Sequence, residues 1–162
     1  MNISHKEIAF LAVKQFKAQQ KPEELTALLE KLELLQPEII VEIGFGSGGT
    51  LWAFSKISSV KHLINIDIKA FPDESTYIKE ATTAKIDFIV GNSMKQGTVK
   101  EVLQVLNGKK VDFLHIDGCH DFDCVSADYE MYSPLVREGG LIALHDTVKH
   151  PEETKCKVDG IS

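Results

Sequence analysis

The stretch 38–50, EIIVEIGFGSGGT, decides how the chain is read. Its first half, 38–43 (EIIVEI), is almost continuously apolar and β-branched, the pattern of a strand covered on both faces. Its second half sets Gly44, Gly46 and Gly49 in the spacing G-x-G-x-x-G, ahead of a helical stretch over 50–57. Glycine here lets the turn tighten and lets main-chain N–H groups come close to a ligand. A tight strand-to-helix turn with no ligand reads the same way.

Outward from that stretch, four more short apolar runs follow: 62–67 (HLINID), 86–90 (IDFIV), 111–117 (VDFLHID) and 141–146 (LIALHD). Several end on a carboxylate, which places acidic groups at the C-terminal edge of a sheet. Helix-length segments lie between them. Ser4-x-x-Glu7 is a capping box, continued on one face by Ile8, Leu11, Ala12 and Gln15. Pro22 suits a first helical position, and Leu25, Leu28, Leu29 and Leu32 follow at helical spacing. Thr98-x-x-Glu101 reads as a second box, with a stop at Asn107-Gly108. Val125, Tyr129, Tyr132 and Val136 make another stripe, closed by Pro134 and Gly139-Gly140. Two helices and then alternating strands and helices predict an α/β doubly wound parallel sheet of five strands with right-handed crossovers and helices on both faces.

Composition bounds the rest. The 162 residues suit one domain, and 43% hydrophobic with 26% charged residues excludes a disordered or collagen-like chain. No apolar run is long enough to span a membrane, and the N-terminus lacks the basic-then-apolar pattern of a secretion signal. A net charge of −6 without Lys/Arg clusters points away from nucleic acid. Three cysteines, Cys119, Cys124 and Cys156, contain no CxxC, and the expectation is reduced thiols in a cytoplasmic protein. Cys119 reads as a small filler residue.

In open α/β sheets ligands bind beyond the carboxyl ends of the strands. Asp67 closes the second run, where an acid can bind both ribose hydroxyls of an adenosine. Glu42 stands two residues before the first glycine. A carboxylate there opposes a pyrophosphate and suits a cation, which points from NAD towards S-adenosylmethionine, a sulfonium without phosphate.

VEIGFGSGGT followed by INID resembles the cofactor-binding motifs of class I S-adenosylmethionine-dependent methyltransferases. FLHIDGCHDFDCVSADYEMYSPLVREGGLIALHD narrows the resemblance to the cephalosporin-hydroxylase-like and macrocin-O-methyltransferase-like branch, over about residues 22–150. The resemblance implies a Rossmann-like sheet in the order 3-2-1-4-5, and a C-terminal pair of family strands that this chain lacks. It divides the chain into an N-terminal helical segment, 1–36, serving as lid or dimer contact, a cofactor-binding domain, 37–150, and a polar tail, 151–162.

Residue by residue, the resemblance places Gly44, Phe45, Gly46, Ser47 and Gly49 beside the methionine part of the cofactor. Glu42 lies near its amino group or holds the loop, Asp67 takes the ribose, Ile68 borders the cofactor, and Asn92 and Ser93 meet the adenine edge. An ordinary polar turn would explain Asn92-Ser93 equally well. Asp117, which also borders the cofactor, joins His145 and Asp146 as a set for a divalent metal, Mg²⁺ or Mn²⁺. His145 replaces a carboxylate common in the family, and imidazole suits Mn²⁺, Fe²⁺ or Zn²⁺ better than Mg²⁺. Phe122 stands where a tyrosine is common. His120, in the context D-G-x-H, is the candidate base that removes a hydroxyl proton. His115 shares the parity of Asp117 but reads as core, and His5, His62 and His150 have no context.

The expectation is metal-assisted O-methylation of a small-molecule acceptor by a cytoplasmic protein, a homodimer, with no nucleic-acid or membrane partner. A non-catalytic nucleoside-binding module and an NAD-dependent oxidoreductase are the competing readings. A metal-dependent hydroxylase ranks lower, its histidine-carboxylate set limited to Asp117, His120 and His145.

Overall fold

The computed structural model describes residues 3–145; residues 1–2 and 146–162, with Asp146, His150 and Cys156, lie outside the described residues. Helices α1 (His5–Lys14) and α2 (Pro22–Leu35) come first. Alternation follows: β1 (Ile39–Ile43), α3 (Gly49–Phe54), β2 (His62–Asp67), α4 (Pro72–Glu80), β3 (Lys85–Val90), α5 (Gln96–Leu106), β4 (Val111–Ile116), α6 (Phe122–Tyr132) and β5 (Val136–Leu144). The sheet is parallel throughout, in the order β3-β2-β1-β4-β5. This is the doubly wound sheet that the alternating pattern predicts.

Each strand sorts its side chains by parity, and the two parities build two cores. Ile40, Leu63, Ile86 and Phe113 pack with Ile8, Leu25, Leu29, Leu51, Phe54 and Ile78 from α1 to α4. Val41, Ile43, Ile64, Ile66, Leu114 and Ile116 pack with Val99, Val102, Leu106 and Tyr132 from α5 and α6. Residues from the 1–36 segment therefore share a core with α3. Burying side chains of this size contributes about 1.5–3 kcal/mol each, which carries the short α3 despite its six residues.

The local signals at the starts of α1 and α2 and at the end of α5 hold. The Ser4 hydroxyl accepts from the Glu7 N–H, and the Glu7 carboxylate accepts from the Ser4 N–H at 2.8 Å. Pro22 opens α2, and Asn107 closes α5 in the left-handed conformation, φ 47°. Four local expectations fail. The box at Thr98-Glu101 does not form: α5 begins at Gln96, and Thr98 is an interior, buried residue packed where a side chain on Gly91 would lie. The helix after the glycine turn ends at Phe54, short of residue 57. Val136 belongs to β5, because α6 stops at Tyr132 and a 3-10 turn at Ser133–Leu135 redirects the chain. Gly139-Gly140 lies inside β5, where the pairing with β4 shifts register between Val111 and Phe113. A side chain on Gly140 would sit 2.9 Å from the Asp112 carbonyl oxygen, so the irregularity, not a turn, requires glycine.

Candidate functional site

The carboxyl ends of β1, β2 and β4 open into a cavity of about 440 Å³, the size of a small-molecule site. Glu42, Gly44, Phe45, Gly46, Ser47, Gly49, Asp67, Ile68, Asn92, Ser93, Asp117 and His120 all line it, whereas Asp146 lies outside the described residues. Ala18 and Gln19, from the α1–α2 connection, form a further part of the wall.

The glycine turn is held by close approach. Gly44 adopts φ +93°, and a Cβ there would fall 2.1 Å from the carbonyl oxygen of Asp117. Glycine is required because the turn presses against the exit of β4. Gly46 also has positive φ, +54°, but a Cβ there would meet nothing within 4 Å, so its backbone borders open space. Asp67 fastens the turn to the end of β2: one carboxylate oxygen accepts from the Phe45 N–H at 2.8 Å, the other from the Lys69 N–H at 2.9 Å.

Beneath the turn runs a buried polar row. The register pairs Glu42 with Asn65 on β2 and with His115 on β4, so three adjacent strands set these side chains side by side. Asn65 Nδ2 donates to Glu42 Oε2 at 3.0 Å and to the Gly44 carbonyl at 3.1 Å, and His115 Nδ1 lies 3.3 Å from Glu42 Oε1. Glu42 and His115 are each 2% exposed. Burial pushes the Glu42 carboxyl above its usual range, against the pull of His115 and Asn65. His115 is thus core, as its strand position suggests, but it is core with a polar task. Asn65, like Glu42 and His115 a polar residue inside an apolar strand, is the sequence signal that could have revealed this row.

At the other side of the opening, Asp117 gathers three partners. Its Oδ2 accepts from Gln20 Nε2 at 2.8 Å, across 97 residues of chain. Its Oδ1 lies 3.0 Å from His145 Nδ1 and 3.6 Å from His120 Nε2. The backbone sets this up: the Asp117 N–H donates to the Ile43 carbonyl and the His145 N–H to the Ile116 carbonyl, aligning the exits of β1, β4 and β5. One donor atom from each of Asp117, His120 and His145 falls within 4.8 Å of the others, so these side chains could share a cation. Two imidazoles and a carboxylate suit Mn²⁺, Fe²⁺ or Zn²⁺ better than the all-oxygen preference of Mg²⁺.

Sequence reasoning missed Asp128 and Gln20 altogether. Asp128, on α6, borders the cavity and is 1% exposed, and its Oδ1 has no hydrogen-bond partner among the described residues. Burial raises its carboxyl above the usual range, against a hydrogen bond from Ser93. Cys119 is not a filler: it is half-exposed on the cavity wall, grouped with Asp121 and Cys124. Phe122 is 82% exposed. No helix among the described residues is long and apolar enough to cross a membrane.

Comparison with known proteins gives the site a family. The family described as Rhamnosyl O-methyltransferase/CmcI matches residues 4–159. An uncharacterized protein of Acanthamoeba polyphaga mimivirus is 29% identical over 112 residues, which cover 65% of this chain and 50% of that protein. An uncharacterized protein of Sinorhizobium fredii is 24% identical over 122 residues, covering 70% of this chain and 13% of that protein. The chain thus spans half or less of the length of these relatives. Among solved structures, the MycE methyltransferase of the mycinamycin biosynthetic pathway, in complex with Mg, SAH and mycinamycin VI, superposes with a TM-score of 0.67. Its identity is 17%, over 89% of this chain and 39% of that one. The O-methyltransferase TomG of Streptomyces achromogenes, in complex with SAM, gives a TM-score of 0.62 at 17% identity, over 94% of this chain and 73% of that one. At these identities the likeness is one of fold.

Proposed function

The chain belongs to the Rhamnosyl O-methyltransferase/CmcI family, and we propose that it binds S-adenosylmethionine in this cavity and methylates a hydroxyl of a small molecule. The observation that carries the reading is the charge of the wall. Asp67 and Asp117 border the cavity, joined by the buried carboxyls of Glu42 and Asp128 whose charge burial opposes, against a single lysine, Lys69. Such a wall favours a cationic sulfonium and opposes the pyrophosphate of a dinucleotide. The orphaned Oδ1 of Asp128 suits a donor such as an adenine amino group, beside the Asn92-Ser93 turn.

In this reading the glycine turn lies along the methionine part, and Asp67, already oriented by two main-chain donors, accepts from the ribose hydroxyls. Asn65 and His115 hold Glu42 under the turn. S-adenosylmethionine supplies an intrinsically activated methyl group, so the protein's work is alignment and exclusion of water. Asp117 and His145, with Asp146, would hold a divalent metal, which lowers the pKa of an alcohol bound to it. His120, the most exposed of the cluster at 46%, takes the proton from the acceptor hydroxyl. The helical segment 1–36 contributes its α1–α2 connection to the wall near the acceptor.

Calorimetry with S-adenosylhomocysteine and NADH, followed by a labelled-methyl screen of hydroxylated small molecules, tests the proposal. Binding of S-adenosylhomocysteine with transfer to an acceptor is expected, and the transfer, not the binding, should fall in His120→Ala. Preference for NADH overturns the cofactor assignment; binding without any transfer marks a non-catalytic nucleoside-binding module.

A further inference from the structure

The loop between β4 and α6, with the first turn of that helix, carries two sets of donors, and only one serves the site described above. Asp117 and His120 belong to the cluster with His145, whereas Cys119, Asp121 and Cys124 form a separate group. We propose that Cys119, Asp121 and Cys124 bind a thiophilic divalent cation of the zinc class, fastening this loop to the first turn of α6.

Distance supports it first. One donor atom from each of the three residues lies within 4.8 Å of the others, and Cys119 Sγ is 3.9 Å from Asp121 Oδ2. Zinc binds thiolate sulfur at about 2.3 Å and carboxylate oxygen at about 2.0–2.2 Å, so tetrahedral donors stand roughly 3.5–3.8 Å apart. The group needs only a small contraction to close around such an ion. All three donors come from six consecutive residues, so no distant part of the chain has to move.

The orientation of Asp121 is the independent observation. It occupies the N-cap of α6 with extended backbone, φ −76° and ψ 140°, where an aspartate ordinarily accepts from the N–H of the second or third helical residue. Asp121 makes no such side-chain cap bond; its carboxylate accepts from the Cys119 thiol instead. A capping residue that leaves its helix uncapped and turns towards a thiol is placed as a ligand would be.

Chemistry selects the ion. Two sulfurs and one carboxylate favour Zn²⁺ or another thiophilic cation over Mg²⁺ or Ca²⁺, which take oxygen ligands. Both cysteines are half-exposed on the cavity wall, so an ion reaches them from solvent. Each thiol releases one proton on binding, and the ion takes both thiolates, the carboxylate and a water. Occupancy ties Cys119 to α6 and so steadies Asp117 and His120 on either side of it. The site does not depend on the methyltransferase reading.

The test uses the full chain, reduced, titrated with Co²⁺ as a spectroscopic probe and then with Zn²⁺. The expected result is a near-ultraviolet thiolate-to-cobalt band, abolished by Zn²⁺, and a thermal midpoint raised by Zn²⁺. The band should be lost in Cys119→Ser and in Cys124→Ser, weakened in Asp121→Asn, and retained in His145→Ala, and the Zn²⁺ shift of the thermal midpoint should shrink in both cysteine variants. Circular dichroism establishes that the variants are folded, and the exposed Asp121→Asn provides a readout if a cysteine variant is not. Absence of the band from the reduced wild-type chain overturns the proposal, as does its survival in both cysteine variants. Loss of the band in His145→Ala as well as in both cysteine variants joins the ion to the Asp117 cluster and overturns the separate site. Formation of a Cys119–Cys124 disulfide by glutathione disulfide, with no cobalt band under reductant, replaces the cation site with a redox pair.

Discussion

The two sides of the cavity are built by different means. On the β1–β2 side, Asp67 is met by main-chain donors from Phe45 and Lys69, and the backbone of the glycine turn is the group held in place, with Asn65 donating to the Gly44 carbonyl. On the β4–β5 side, Asp117 is met by the side chains of Gln20, His120 and His145, from three different segments. A backbone-scaffolded half follows from local sequence and tolerates side-chain change around it. A half assembled from side chains depends on every contributor being delivered by the fold.

The largest expected effect separates two glycines of the same turn. Gly44→Ala drives a Cβ into the Asp117 carbonyl at positive φ and should cost roughly 3 kcal/mol or more of stability by chemical denaturation. Gly46→Ala, with open space around it, should cost only about 1–2 kcal/mol, from conformation alone. Equal losses would mean that the turn is not pressed against β4. Next, Asp67→Asn should weaken S-adenosylhomocysteine binding by about 1.5–3 kcal/mol in calorimetry, with a smaller loss of about 1 kcal/mol in folding, since the amide oxygen still accepts from Phe45 but the bond from Lys69 is lost.

A smaller effect tests the assembled half. A double-mutant cycle of Gln20→Ala and Asp117→Ala should show coupling of about 1 kcal/mol in stability, because the pair is one hydrogen bond across the fold. Additive losses would break the idea that Gln20 holds Asp117. The smallest effect at neutral pH concerns the far end of the sheet. Burial alone would raise the Asp112 carboxyl, but Arg137 and the N–H groups of Ile39 and Glu38 overcome it and hold it below its usual range. A depressed folded value means that its contribution is present above the unfolded value and fades as pH falls below about 4. The stability gap between wild type and Asp112→Asn should therefore be constant near neutrality and shrink in acid, with S-adenosylhomocysteine binding unchanged at pH 7. A gap that widens in acid contradicts the pairing.

Legibility in the sequence followed the same division. Ser4, Pro22 and Asn107 mark helix ends because caps act over three or four residues, and the strands announce themselves by apolar runs. Thr98 misled because a capping pattern inside a helix looks the same as one at its start, and packing against Gly91 decided the matter. Gly139-Gly140 misled because glycine marks a strand irregularity as readily as a stop. Asp128 and Gln20 were invisible, since nothing near them in sequence signals a cavity wall.

The sequence by itself determined the parallel α/β sheet, the glycine turn and the acids at the strand ends, because periodicity, turn chemistry and strand-end placement are properties of neighbours along the chain. Tertiary structure alone decided that Glu42, Asn65 and His115 stand in one buried row, that Gln20 reaches Asp117, and that the loop after β4 divides its donors between two clusters. These depend on register between strands and on the path of a crossover. No residue encodes them until the core has closed and fixed which side chains share a few ångströms of space.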